Sequence, residues 1–341
     1  MKISIDATGQ DPIYKQIVKV IEKAVREQKL APGQQVESMN ELADRLNISK
    51  ETVKKAYGIL ADKGIIIPKQ GKGFYAADLS AKEHPHVLVL FDKFSVYKQA
   101  IYNALAERLG HGAELTIHTH NQSLDLLEYY LNNYLDLFDF YVVTPHFPLD
   151  ENSQARAVKL LSRIPNRKLI LLDRLQPGFP GNFGAVYQDF ESDIYGGLAQ
   201  GAGEQSPITQ LRVITLPTSL YGSHIRMGVE RFAMDYHIPV EFMTQAPSHI
   251  NKGDTFLVLN SQLDAGLVDL VRKINESGLS IGSDVRIIAY NDFETNELVL
   301  GGLTTVSTDF REMGYQAAEM ILERKLRKVH CPFKMIRRRT F

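Results

Sequence analysis

Residues Ser38–Tyr75 read SMNELADRLNISKETVKKAYGILADKGIIIPKQGKGFY, and this stretch decides the fold of the N-terminal part. Ser38 followed three residues later by Glu41 has the spacing of a capping box, in which a hydroxyl and a carboxylate satisfy backbone N–H groups at a helix start. Leu42, Ala43 and Leu46 then supply one apolar face. Asn47-Ile48 makes a short turn, and Ser49 opens another helix with Val53, Ala56, Tyr57 and Leu60 at helical spacing. Gly64 stops it. Ile65–Ile67 and Gly73–Tyr75 are short apolar runs joined by Pro68–Lys72, a hairpin signal. Upstream, Ile13, Ile17, Val20, Ile21, Ala24 and Val25 recur at helical spacing behind Asp11, a candidate cap, and Pro12, which suits a first helical turn. Ala31-Pro32-Gly33 ends that helix. Two short helices joined by a tight turn and followed by a hairpin are the order of a winged helix-turn-helix.

Beyond this head the rhythm changes. Residues 78–85 are polar, contain a proline and read as a linker. Short apolar runs then recur at His86–Phe91, Phe140–Val143, Leu169–Leu172, Leu211–Thr215, Thr255–Leu259 and Val285–Ala289. Amphipathic stretches such as Tyr97–Leu109, Ala155–Arg163, Tyr195–Gln200 and Leu263–Ser277 separate most of them. Runs of this kind are buried parallel strands, and their alternation with helices predicts an α/β body with parallel sheets. The expected division is a winged helix-turn-helix head over 1–77, a linker over 78–85 and an α/β body over 86–341, to which the resemblance given below assigns ligand sensing and dimerisation.

Length and composition agree with that plan. The chain has 341 residues, 44% hydrophobic and 23% charged, enough for more than one folding unit. Residues 1–80 hold 13 Lys+Arg against 10 Asp+Glu, and the remainder 26 against 30: a mildly basic head on a mildly acidic body. The single cysteine, Cys331, excludes an internal disulfide framework and fits a reducing compartment. The N-terminus has no apolar signal region, and no stretch is long enough to span a bilayer, so a cytoplasmic location without membrane contact is expected. The sequence contains no phosphate-cradling GxxxxGK[ST], no GxSxG and no HExxH. No catalytic residue, metal site or cofactor is expected. The rival reading is a sugar-modifying enzyme with a DNA-binding head; a module whose cleft holds a protein is a third.

The head resembles the DNA-binding domain of the GntR family of bacterial regulators. The matching pieces are Pro12–Ile17, Leu30–Gly33, Glu41–Ala43, Ile48–Tyr57 and Gly71–Tyr75. The resemblance implies that the helix opened by Ser49 enters the major groove of operator DNA. Ser38, Asn40, Ser49, Lys50, Thr52, Lys54, Lys55, Lys72 and Gly73 are then the DNA-binding candidates. Lys50 and Lys54 are four residues apart and share a face; the alternative is that these lysines are solvated surface charges. The family commonly has arginines where Asn40, Lys50 and Lys54 stand, and arginine reads guanine through a bidentate fork that the other two lack.

The body resembles the effector domain of LacI-type repressors, which is similar to periplasmic sugar-binding proteins of type I. The residues behind this are Lys168–Arg174, Val186–Phe190 with Gly196-Gly197, Ile281–Asp292, Leu303–Val306 with Glu312-Met313-Gly314, and Pro332–Arg338. It implies two lobes with parallel sheets whose strand ends face a cleft, a homodimer, and a small effector, either a monosaccharide or a sugar phosphate. Ligands of open α/β sheets sit beyond the carboxyl ends of the strands. Polar residues just after the apolar runs are therefore the ligand candidates: Asp92, Lys93, Phe94, Thr144, His146, Asp173, Arg174, Asn260, Gln262, Asn291 and Asp292. Asp189, His224 and Arg226 join them from the family motifs, and Phe94, Tyr97, Phe147 or Tyr221 would face a sugar ring. Alternatives stand beside five of these: Asp173-Arg174 as an exposed ion pair, Asp189 as a helix cap, and His146 and His224 as non-ligands. The family usually has an aspartate directly after Tyr290, where this chain has Asn291 with Asp292 next. The family arginine before Gly228 is displaced to Arg226.

Overall fold

Helix starts and stops in the head follow its capping residues. The computed structural model describes residues 5, 11–26, 29–69, 71–77, 85–110, 113–202, 208–215, 217, 219–259 and 265–341. They fall into two compact units, Met1–His84 and Pro85–Phe341. In the first, α1 (Ile13–Arg26) is followed by α2 (Met39–Leu46) and α3 (Lys50–Asp62). Both halves of the capping box at Ser38 form: the Glu41 amide donates to Ser38 Oγ at 3.2 Å, and the Ser38 amide donates to the Glu41 carboxylate at 3.0 Å. Asn47 ends α2 in the left-handed region at φ 51°, which asparagine tolerates. Ser49 caps α3 through the Thr52 amide. Ile17, Ile21, Leu42, Val53, Tyr57 and Leu60 are fully buried between the three helices. The Tyr57 hydroxyl donates to the Glu37 carbonyl at 2.6 Å, so its polar end is satisfied within that core. The hairpin pairs β1 (Ile66–Lys69) with β2 (Gly73–Ala76) antiparallel, from Ile66 opposite Ala76 to Lys69 opposite Gly73.

The second unit begins with β3 (His86–Phe91), α4 (Val96–Leu109), β4 (Glu114–Thr119), α5 (Leu124–Tyr134), β5 (Phe140–Val143), α6 (Glu151–Leu161), β6 (Leu169–Asp173) and β7 (Gly184–Tyr187). It continues with α7 (Phe190–Gly201), β8 (Gln210–Ile214), α8 (Gly222–Asp235), β9 (Val240–Met243), β10 (Asp254–Val258), α9 (Ala265–Glu276), β11 (Arg286–Tyr290) and β12 (Thr304–Thr308). The chain closes with α10 (Phe310–Glu323), β13 (Lys328–His330) and β14 (Phe333–Ile336). Two six-stranded sheets result, in the orders β13-β7-β6-β5-β3-β4 and β14-β12-β11-β10-β8-β9. Every pairing in them is parallel except β12 with β14.

The two sheets define two lobes, and the chain passes between them three times: after β7, between β12 and α10, and between β13 and β14. Within each lobe a glycine brings two helices into close contact. A Cβ on Gly314 of α10 would lie 2.3 Å from the Ile101 carbonyl oxygen of α4, and one on Gly228 of α8 would lie 2.2 Å from that of Glu191 in α7. Each apolar run named from the sequence is a central strand of one of the sheets. The edge strands β4 and β9 are short or only half buried, and their mixed composition hid them from pattern reading.

Candidate functional site

Most of the DNA-binding candidates of the head are exposed. Lys50, Lys54 and Lys55 of α3 are exposed, as are Asn40 of α2 and Lys72 and Gly73 of the hairpin. Lys54 Nζ lies 3.6 Å from Glu51, and Lys55 Nζ sits 4.1 Å from the Tyr14 ring centroid, so neither charge is held by a buried partner. The hydroxyls of Ser38, Ser49 and Thr52 are already engaged in local hydrogen bonds, with Ser49 Oγ 2.8 Å from Thr52 Oγ1. Gly73 has φ 91°, and Gln35 Nε2 donates to the Lys72 carbonyl at 2.9 Å, which pins the base of the turn. A residue with a side chain is strained at that φ.

In the body the strand ends meet a cleft of about 360 Å³ between the lobes. One wall is charged. Asp92 follows β3, His146 follows β5, and Asp173 ends β6, and all three are buried. The Lys98 ammonium, on the first turn of α4, reaches across to both carboxylates: it donates to Asp173 Oδ2 and lies 3.3 Å from Asp92 Oδ1. His146 bridges the same pair, with Nε2 3.1 Å from Asp173 Oδ2 and Nδ1 3.7 Å from Asp92 Oδ2. Gln188 Nε2 donates to Asp173 Oδ1, and Thr308 Oγ1 donates to Gln188 Oε1 at 2.6 Å, which links this cluster to the end of β12. Behind Asp92, Thr144 Oγ1 accepts from the Asp92 amide at 2.7 Å and donates to its carboxylate at 3.2 Å. His120 Nε2 contacts the Thr144 carbonyl at 2.9 Å. A carbonyl can only accept, so the imidazole proton is on Nε2.

Electrostatics follow from this packing. Burial by itself would raise the Asp92 and Asp173 carboxyls, but Lys98 and His146 overturn it and hold both below the usual range. Burial would likewise lower Lys98, and the two carboxylates raise it instead. His120 has no such partner: burial pushes it down to about 4, so it is neutral near pH 7.

The remaining walls are aromatic and neutral. Tyr221 stacks on Phe190 with centroids 4.4 Å apart and meets the His146 ring edge-on at 5.0 Å. Its hydroxyl accepts from Arg174 Nη1 at 3.1 Å, and burial, outweighing Arg174, pushes it up to about 12. Tyr97 stacks on Phe310 at 5.0 Å. Asn291, after β11, also lines the cleft, and its Oδ1 is buried without a hydrogen-bond partner. Asp173 and Asn291 both have left-handed backbones, φ 74° and 69°, at the ends of their strands.

Of the ligand candidates, Asp92, Lys93, His146, Asp173 and Asn291 therefore line the cleft, and Thr144 supports Asp92 from behind. Arg174 is buried beside Tyr221 without lining it. The others do not come together there. Asp189 caps α7, accepting from the Ser192 amide. Asp292 forms a two-pronged ion pair with Arg338, at 2.8 and 2.9 Å, and accepts from Thr305. Phe94 is exposed, as are His224 and Arg226, the last paired with Glu230 at 2.7 Å. Phe147 packs under His120 instead of facing the cleft. Asn260 and Gln262, like most of the linker, lie outside the described residues. Pattern reading missed Lys98. Its signal was present: Lys98, Ile101 and Leu105 fall on one helical stripe, a lysine in line with core positions. Among the described residues, no His, Cys, Asp and Glu cluster is arranged as a metal site, and no helix is long and apolar enough to cross a membrane.

Comparison with known proteins fits both units. Residues 13–76 match the gntR family of bacterial regulatory proteins, and residues 224–340 match the periplasmic binding protein-like domain. The lactose operon repressor of Escherichia coli (strain K12) is 33% identical over 82 residues, 23% of this chain and 22% of that protein. The repressor YtrA of Bacillus subtilis (strain 168) is 28% identical over 113 residues, 33% of this chain and 83% of that protein. A solved lac repressor dimer bound to operator and the anti-inducer ONPF shares the fold, with TM-score 0.57 at 18% identity over 77% of this chain and 96% of that one. The protein is thus a DNA-binding transcriptional regulator and not an enzyme. It joins a GntR-type helix-turn-helix head to a LacI-type, periplasmic-binding-protein-like effector domain.

Proposed function

We propose that this chain is a homodimeric, cytoplasmic repressor of carbohydrate-utilisation genes, whose affinity for operator DNA is set by a small sugar held between the two lobes. In this reading residues 1–77 bind DNA, 78–85 connect, and 86–341 sense and dimerise. The observation that carries it is the cleft. It combines buried acceptors at Asp92 and Asp173, an unpartnered amide oxygen at Asn291 and aromatic faces at Tyr97 and Tyr221. Sugars need this combination of polar groups for hydroxyls and apolar faces for the ring. Strand ends from both lobes line the cleft, so a ligand there has different contacts in open and closed forms, which is the requirement for coupling.

On the head, the exposed Lys50 and Lys54 on α3 support placing that helix in the major groove. Two-fold symmetric proteins read palindromic half-sites, which supports the dimer. The test is fluorescence anisotropy on labelled DNA from the gene's own upstream region, titrated with protein at fixed salt with and without a panel of monosaccharides. A sugar that lowers DNA affinity by roughly 5–150-fold is expected, the usual range of such couplings. A sugar that binds without changing DNA affinity sinks the regulatory reading. Lys50→Ala and Lys54→Ala should each weaken operator binding by about 1–3 kcal/mol while leaving sugar binding unchanged.

A further inference from the structure

We infer that Lys98 makes the cleft selective for an uncharged, polyhydroxylated ligand and closes it to the phosphate ester of the same compound. The inference rests on the sugar-sensing reading above and narrows it to one ligand class.

The argument is a charge count at one wall. The buried groups on it are two carboxylates, Asp92 and Asp173, one ammonium, Lys98, and the imidazole of His146. Lys98 is itself only 4% exposed, and both of its carboxylate partners are within ion-pair distance. Its charge is spent inside the wall. With Lys98 in place, both acids are held ionised, and an ionised carboxylate can only accept hydrogen bonds. The His146 ring lies 3.7 Å from Asp92 Oδ2, beyond good hydrogen-bond length. The wall therefore offers acceptors to hydroxyl donors.

A phosphate needs the reverse, free N–H donors or cations. Arg174 does not supply one: its Nη1 donates to Tyr221, its Nε donates to the Leu175 carbonyl at 3.1 Å, and it does not line the cleft. Lys93 lines the cleft but is exposed at its edge, where water screens it. The amino end of α4 carries positive dipole character, and its Ser95 caps the Lys98 amide at 3.3 Å. Through Lys98, on its first turn, that end is tied to the same two carboxylates. At this wall two carboxylates stand against the single Lys98 ammonium, and a phosphate entering there would meet acceptors where it needs donors.

Calorimetric titration of the full-length protein with free aldopentoses and aldohexoses, their phosphate monoesters and inorganic phosphate tests this. A free sugar should bind, with its ester weaker by roughly 100-fold, the cost of a like charge in a desolvated site. Asp92→Asn removes one negative charge without changing size, and should narrow that discrimination by roughly tenfold. Lys98→Met should abolish sugar binding; circular dichroism checks that it folds, and if it does not, Asp92→Asn carries the test. An ester that binds as tightly as its free sugar overturns the proposal and leaves sugar sensing intact. So does full discrimination retained in Asp92→Asn. Silence from every sugar and ester removes both readings.

Discussion

One lobe presents to the cleft the ends of β3, β5 and β6, bearing Asp92, His146 and Asp173; the other presents the ends of β8, β10 and β11, bearing Thr215, Leu259 and Asn291. The strands occupy corresponding places in two sheets of the same design, yet the first wall is ionic and the second neutral. On the ionic wall the side chains hold one another: Lys98 ties both acids, Gln188 and Thr144 each hold one of them, and His120 backs Thr144. On the neutral wall Asn291 Oδ1 is without a partner. The neutral lobe does have a strong ion pair next to Asn291, but Asp292 directs it to Arg338 in the C-terminal tail, away from the cleft. One wall is organised before a ligand arrives, and the other has hydrogen-bonding capacity to give to it.

The contrast breaks most sharply at Asp173. Asp173→Asn keeps the shape and tolerates the left-handed backbone, but leaves Lys98 with Asp92 alone. Breaking a buried pair should cost about 3–5 kcal/mol of stability, read by urea denaturation, and should remove the response to ligand. A stability change under about 1 kcal/mol would mean the wall is not held by its charges.

His120 gives a pH signature of the same wall. Its pKa is lowered from 6.5 unfolded to about 4 folded. Between these values the unfolded chain binds a proton that the folded chain refuses. Stability from this group is complete above pH 6.5 and is lost as pH falls toward 4. From pH 7 to pH 5 the loss should be about 2 kcal/mol. His120→Gln should flatten the wild-type slope by that amount in denaturation series at the two pH values; parallel slopes would show that His120 is not buried as a neutral ring.

On the neutral side, Arg338→Met should cost about 1–3 kcal/mol by leaving Asp292 half-buried and short of its partner. Sugar affinity should stay within about threefold of wild type, because the pair points out of the cleft. A large affinity loss would show that the tail positions Asn291. The smallest effect is expected from Asn291→Gly, which keeps the left-handed backbone without strain. Sugar affinity should fall by roughly tenfold, the worth of one good hydrogen bond, with stability unchanged within about 0.5 kcal/mol. Unchanged affinity would remove Asn291 from the binding wall.

The head was legible almost residue by residue, because its signals are local. A capping box at Ser38, a cap at Ser49 and apolar positions at helical spacing act within four residues of chain. Central strands of the body were legible too, as uniformly apolar runs. The rule that polar residues follow those runs found Asp92, His146, Asp173 and Asn291, and it also named Asp292 and Phe94, which do not line the cleft. The rule fails where it must say which of two neighbouring residues turns inward. At Asn291 the left-handed backbone gives the cleft to that residue and the tail to Asp292. Lys98 escaped because a lysine on a helix is ordinarily solvated; only carboxylates from two strands, six and 75 residues away, make its burial favourable.

By itself, then, the sequence determined the winged head, the α/β body and the family of each, since capping, periodicity and apolar runs are short-range properties of the chain. Tertiary structure alone decided the chemistry of the cleft. Lys98, Asp92 and Asp173 become one ionised cluster only when two strands and a helix place their charges within 4 Å in a largely buried site. Attraction of that kind depends on distance and on the surrounding dielectric, and neither is written in the order of residues.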